Sequence, residues 1–211
     1  DQLAPLVRFS LETKDFSVLE DPSLKDDSLL KTLKDFQPEV LVVRSTKVNA
    51  EHIKQTPSLS LIIRAGAGVN TIALDKASQM GVFVANCPGK NAIAVAELVF
   101  GHMLNLDRNI FENIQDFRSG VWNKKKYSKA KGLYGRKLAL LGLGSIGTEV
   151  LSRAKAFGLN IQVWSRSLTK EKAERLGVSY AATPQDAATG ADILSVHLPS
   201  NADTKDLIDS S

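Results

Sequence analysis

The chain holds one cysteine, three histidines and two methionines among its 211 residues, and each scarcity removes a class of protein. A lone Cys87 cannot close an internal disulfide and offers no cluster of soft ligands. Neither a disulfide scaffold nor a zinc module is therefore expected, no metal site is assigned, and a reducing compartment, the cytoplasm, is the default. His52, His102 and His197 show no partner along the sequence, and core or surface packing is the ordinary role for each. No apolar run approaches the roughly 20 residues of a membrane helix, and residues 1–8 lack the pattern of a secretion signal. Strong charge is missing too. A net charge of +4, scattered along the chain, suits anionic metabolites and excludes an electrostatic nucleic-acid footprint. The one dense basic stretch, Lys124, Lys125 and Lys126 followed by Tyr127, Lys129 and Lys131, reads as a solvated loop beside an anion site.

What is present is an ordinary apolar share, 43%, arranged on an alternating pattern. Apolar runs predict strands over 16–19, 40–43, 61–64 and 82–85, alternating with helices over 28–36, 50–55 and 74–80. Such alternation argues for an α/β fold in which a parallel sheet is covered on both faces. A longer helix follows over 92–106, apolar nearly all round, and is therefore expected to be buried on most sides and to run between two domains. The helical pattern continues over 109–117 until Ser119-Gly120 breaks it. Further on, Thr183 caps a short helix with Pro184 in its first turn, and 191–197 reads as another strand.

The most informative stretch is Gly142-Leu143-Gly144-Ser145-Ile146-Gly147, directly after the apolar run 137–143. Three glycines at this spacing are weak evidence alone and strong evidence between a strand and a helix. Ile146, Val150, Leu151, Ala154 and Phe157 repeat at helical spacing, and 159–164 reads as the next strand, completing a βαβ unit. Gly142 permits a tight turn, Gly144 lets the backbone approach phosphates, and Gly147 lets helix pack closely on strand. Ser145 and Ile146 open the helix and present N–H groups to an anion. A dinucleotide pyrophosphate is the expected ligand, a plain α/β turn the alternative.

Several stretches carry a likeness: Arg44-Ser45-Thr46-Lys47-Val48, Arg64-Ala65-Gly66-Ala67-Gly68-Val69-Asn70, Asn86-Cys87-Pro88-Gly89-Lys90-Asn91, Val95-Ala96-Glu97-Leu98, Gly120-Val121-Trp122, the glycine motif and Val196-His197-Leu198-Pro199. Together they resemble the D-isomer-specific 2-hydroxyacid dehydrogenases, and within them the branch whose substrate carries a phosphate. The resemblance implies two Rossmann- or flavodoxin-like α/β domains with parallel sheets, residues 1–92 being part of a substrate-binding domain and 93–211 part of an NAD(P)-binding domain. It implies hydride transfer between a nicotinamide cofactor and a small anionic 2-hydroxy or 2-oxo acid, with no nucleic acid or membrane as partner. Glyoxylate or hydroxypyruvate reductase is an alternative within the family, and a nicotinamide-sensing binding protein of the corepressor kind is one outside enzymes. The family's Arg, Glu and His of the chemistry lie beyond the segment resembling 196–208. No catalytic residue is therefore assigned, and the chain, which opens on Asp1, is expected to be an inactive piece of a longer enzyme whose C-terminal part is missing.

By the same resemblance, Leu198 and Pro199 line the nucleoside side of the cofactor, Ala67 approaches it from the other domain, and His197 is wall rather than acid/base. Gly68 and Val69 hold the substrate carboxylate, while Arg44 and Ser45 meet its phosphate, a guanidinium being able to grip phosphate with two bonds. The family has Asp where Asn70 stands. An NAD-preferring site has a carboxylate at the end of the second strand. Here that place reads Val163-Trp164-Ser165-Arg166-Ser167, with Ser165 in register and Arg166 next. The expectation is a site that takes NADP(H) in preference to NAD(H). The family also implies a homodimer, with Ile110, Phe111, Ile114, Phe117 and Trp122 in or beside the contact.

Overall fold

The computed structural model describes residues 5–209 and forms two compact units, Asp1–Lys90 and Asn91–Ser211. In the first, α1 (Pro5–Glu12) and α2 (Asp26–Phe36) precede β1 (Val40–Val43), α3 (Ala50–Lys54), β2 (Leu61–Arg64), α4 (Leu74–Gln79) and β3 (Phe83–Asn86). The three strands pair in parallel in the order β1-β2-β3, with Val43, Arg64 and Asn86 in register. Their C-terminal ends therefore lie side by side. Val43, Ile53, Ile62, Ile72 and Val82 form the core beneath them. His52 is part of that packing rather than of any site. Its Nδ1 accepts the Asn49 N–H at 3.1 Å, which leaves Nε2 to donate to the Asp26 carbonyl at 3.0 Å. One buried imidazole thus caps α3 and ties it to α2.

The expected strand over 16–19 does not form, and Phe16 and Leu19 are 53% and 46% exposed. A short, mostly apolar segment makes a strand only where a neighbour satisfies its backbone groups. Among the described residues β1 pairs with β2 alone, and the Phe16 N–H bonds back to Leu11 instead. The preceding α1, which the periodicity did not announce, buries none of its residues.

The second unit opens with α5 (Ala92–Arg108), α6 (Ile110–Arg118) and α7 (Lys124–Tyr127). It continues through β4 (Lys137–Leu141), α8 (Ser145–Ala156), β5 (Asn160–Trp164), α9 (Lys170–Arg175), β6 (Ser179–Tyr180), α10 (Pro184–Ala188) and β7 (Ile193–Val196) to a 3-10 turn, Ala202–Thr204. All four strands are parallel in the order β6-β5-β4-β7. Central β4 is buried on both faces. Leu138 and Leu140 pack with Phe100 of α5 and Val150 of α8, while Ala139 and Leu141 pack with Ala181 and Ala187 on the other side. The period-2 alternation is hidden in the sequence because both faces want apolar side chains.

Two helical expectations need correction. α5 is not buried on most sides: Ala92, Ala96, Phe100 and Met103 form one buried stripe, and Ile93, Leu98 and Leu106 on other faces are exposed. The lysine-rich stretch is not loop throughout. Asn123 accepts the Lys126 N–H at 3.1 Å, Tyr127 donates to Asp116 at 2.6 Å, and one helical turn, α7, results.

Candidate functional site

The chain builds the second sheet outward from β4 through β5 to β6, then crosses back to place β7 on the opposite side of β4. At such a reversal the loops leave in opposite directions, and a crevice opens outside the C-terminal ends of the strands. Gly142 stands in that crevice at φ 98°, donating its N–H to the Trp164 carbonyl at 2.8 Å. A Cβ there would strike the backbone carbonyl of His197, and a Cβ on Gly147 would strike the carbonyl oxygen of Gly142. These two glycines are demanded by the protein's own backbone. Gly144 is not, since a Cβ on it would stand in open space with nothing within 4 Å. Packing leaves its smallness unexplained, while a phosphate lying against that backbone explains it.

Gly144 is also the N-cap of α8, which has no side-chain cap and no acidic residue in its first turn. The N–H groups of the opening turn, from Ser145 and Ile146, therefore face outward with the positive end of the helix dipole. The residues present fit the pyrophosphate of a dinucleotide. Beside them, Leu198 is half-buried against Ala139, Leu141 and Ala187, and a Cβ on Gly142 would reach its Cδ2 at 3.0 Å. Pro199 follows, exposed. His197 donates its N–H to the Leu141 carbonyl at 2.7 Å, and its Nε2 lies 2.8 Å from the Ser195 hydroxyl. Burial pushes its pKa down, favouring the neutral ring.

At the end of β5, Ser165 is half-buried and its carbonyl accepts the Leu168 N–H at 3.1 Å, closing a turn. Arg166 projects from that turn, exposed, with one guanidinium nitrogen 3.3 Å from Asp203 on the 3-10 turn. Asp203 was not among the residues that the sequence singled out. Only folding brings together positions 37 residues apart.

In the first unit, Arg44 and Ser45 follow β1 and are exposed, and the loop 65–70 follows β2. That loop is tied to both neighbouring strands. Ala65 donates to the Val43 carbonyl at 2.7 Å, the Cys87 N–H to Gly66 at 3.0 Å, and the Asn86 side chain to Ala67 at 2.6 Å. The carbonyls of Gly66, Ala67 and Val69 are all engaged, the last by the Ile72 N–H at 3.0 Å, which suits a loop whose N–H groups serve an anion. Arg64 completes the arrangement. A Cβ on Gly66 would come within 2.7 Å of its guanidinium and one on Gly68 within 3.5 Å, and its buried Nε has no hydrogen-bond partner. The sequence placed Arg64 in a strand and showed nothing of where its side chain turns. Asn70 folds back likewise, its Oδ1 at 3.1 Å from where a Cβ of Gly68 would be.

Comparison with known proteins agrees with this geometry. Residues 100–211 match the family described as D-isomer specific 2-hydroxyacid dehydrogenase, NAD binding domain. D-3-phosphoglycerate dehydrogenase of Methanocaldococcus jannaschii is 39% identical over 186 residues, covering 88% of this chain and 35% of that protein. Hydroxypyruvate reductase of Thermotoga maritima is 38% identical over 189 residues, covering 88% of this chain and 58% of that protein. The chain thus spans about a third of the first relative's length and just over half of the second's. The solved structure of cofactor (NAD+) bound 3-phosphoglycerate dehydrogenase from Entamoeba histolytica superposes with a TM-score of 0.75 at 27% identity, over 94% of this chain and 58% of that one. With a glycine turn at the sheet's switch point and a family match across more than half its length, the chain belongs to the D-isomer specific 2-hydroxyacid dehydrogenases.

Proposed function

We propose that the protein is an NAD(P)-dependent D-2-hydroxyacid dehydrogenase, and specifically a D-3-phosphoglycerate dehydrogenase of serine biosynthesis working in the cytoplasm. The observation that carries the cofactor half is Gly144, whose missing side chain answers to no protein atom. The nicotinamide, when bound, supplies the hydride chemistry. The chain's own residues bind and orient it: the α8 N–H groups take the pyrophosphate, and Leu198 and Pro199 wall the nucleoside. β5 ends without a carboxylate to repel a further phosphate, which supports use of NADP(H) beside NAD(H).

For the substrate, Gly68 and Val69 hold the carboxylate, and Arg44 and Ser45 the phosphate. Arg64 adds a cation over the glycine loop, where it steadies whichever anion the N–H groups receive. The exposed apolar residues of α5 and α6 support a homodimer. A hydroxypyruvate reductase is the second reading, favoured by the Thermotoga maritima relative of that name. Assay of the full-length protein with 3-phosphoglycerate, hydroxypyruvate and glyoxylate decides between them. The phosphorylated acid is expected to give the highest kcat/KM, and a preference for either unphosphorylated acid would overturn the assignment.

A further inference from the structure

We propose that Asp203 tunes the cofactor preference, by holding the Arg166 guanidinium and by offering the carboxylate that the end of β5 lacks. The proposal rests on the reading of this crevice as the cofactor site. Arg166 follows β5 and Asp203 follows β7, and β4 lies between those strands. Two strand spacings, roughly 10 Å, separate them at the sheet. The 3.3 Å contact between their side chains therefore bridges the mouth of the crevice beyond the end of β4, the strand that leads into Gly142.

The turn that carries the carboxylate is held in place independently of the arginine. Asn201 accepts the Thr204 N–H at 3.1 Å, Thr204 accepts the Asn201 N–H at 3.1 Å, and the Thr204 hydroxyl donates to the Pro199 carbonyl at 2.5 Å. The turn bearing Asp203 is thus fastened to the wall residue Pro199. A carboxylate so placed acts on the two cofactors with opposite sign. It accepts hydrogen bonds from the adenosine ribose hydroxyls of NAD(H), the service normally given from the end of the second strand. Against NADP(H) it competes for Arg166 and repels the dianionic phosphate, which must draw the guanidinium away before it can bond to it.

Magnitude decides how strong such a device is. The two side chains are 63% and 73% exposed, and exposed ion pairs bias an equilibrium by up to about fivefold. Asp203 therefore shifts the preference and does not exclude either nucleotide.

The test is titration of NADH and NADPH into the purified protein and its variants at low ionic strength, read by nicotinamide fluorescence or calorimetry. Asp203→Asn is expected to tighten NADPH about two- to fivefold while NADH stays level or weakens. Asp203→Glu is expected to keep the wild-type ratio. In the Arg166→Ala background the gain from Asp203→Asn should shrink, because no guanidinium is left to release and only the direct repulsion of the phosphate is relieved. An unchanged NADPH-to-NADH ratio in Asp203→Asn, or a gain undiminished without Arg166, overturns the proposal. Failure of the wild type to bind either nucleotide is a different result: it removes the cofactor reading, and the role of Asp203 with it.

Discussion

Gly142, Gly144 and Gly147 are glycine for different reasons, and alanine substitution separates them. Gly142→Ala forces a side chain into a left-handed conformation and against the His197 carbonyl, and Gly147→Ala drives α8 off the turn. Each is expected to cost about 2 kcal/mol or more in urea unfolding. Gly144→Ala meets nothing and changes an N-cap only, so stability should move by less than about 1 kcal/mol while nucleotide affinity falls at least about tenfold. Equal stability losses at all three positions would contradict this division. His197 supplies a pH signature. Its folded pKa is lowered by burial, so below the ordinary value of 6.5 the unfolded chain binds the proton first. Its contribution to stability is complete above that value and declines as pH falls from there through the folded pKa. His197→Gln should flatten this part of a stability profile between pH 7.5 and 5; an unaltered profile would show that another group is responsible.

Among the elements, those that the pattern announced carry an apolar run or an apolar helical stripe, whether or not both faces are covered. β1 and β2 lie where their apolar runs stood, and β4 and β7 within theirs; only β4 is buried on both faces, while Val40 of β1 and Leu194 and Val196 of β7 stay at least 40% exposed. α9, with Ala173 its one buried residue, and two-residue β6 carry too little pattern to be read. α5 shows the opposite failure: an apolar sequence implies burial without saying against what. Ile93, Leu98 and Leu106, with Phe111, Phe117 and the 77% exposed Trp122, remain uncovered. If a second copy covers them, a two-fold contact buries the same patch on both chains. Sedimentation at micromolar concentration should then report a dimer, and Trp122→Glu together with Phe111→Glu should shift it to monomer by placing unpaired charge in an apolar contact. A monomeric wild type would remove the proposed dimer.

For the whole molecule, the proposed activity depends on each unit presenting its own set of strand ends. Arg44→Ala in the full-length protein should raise KM for the phosphorylated substrate by about ten- to a hundredfold, the worth of a charge-assisted hydrogen bond. It should leave kcat, and the kinetics with hydroxypyruvate, nearly unchanged. Equal losses with both substrates would place Arg44 elsewhere than at the phosphate. Local spacing was enough to read the α/β class, the parallel strands and the strand-turn-helix around Gly142, because these follow from backbone conformation and from which neighbours along the chain are apolar. The direction of a long side chain does not. Arg64 folding over Gly66, Asp203 reaching Arg166, the failure of 16–19 to pair and the exposed flank of α5 were decided by tertiary structure alone. Each depends on what lies across space at a distance that the order of residues does not encode.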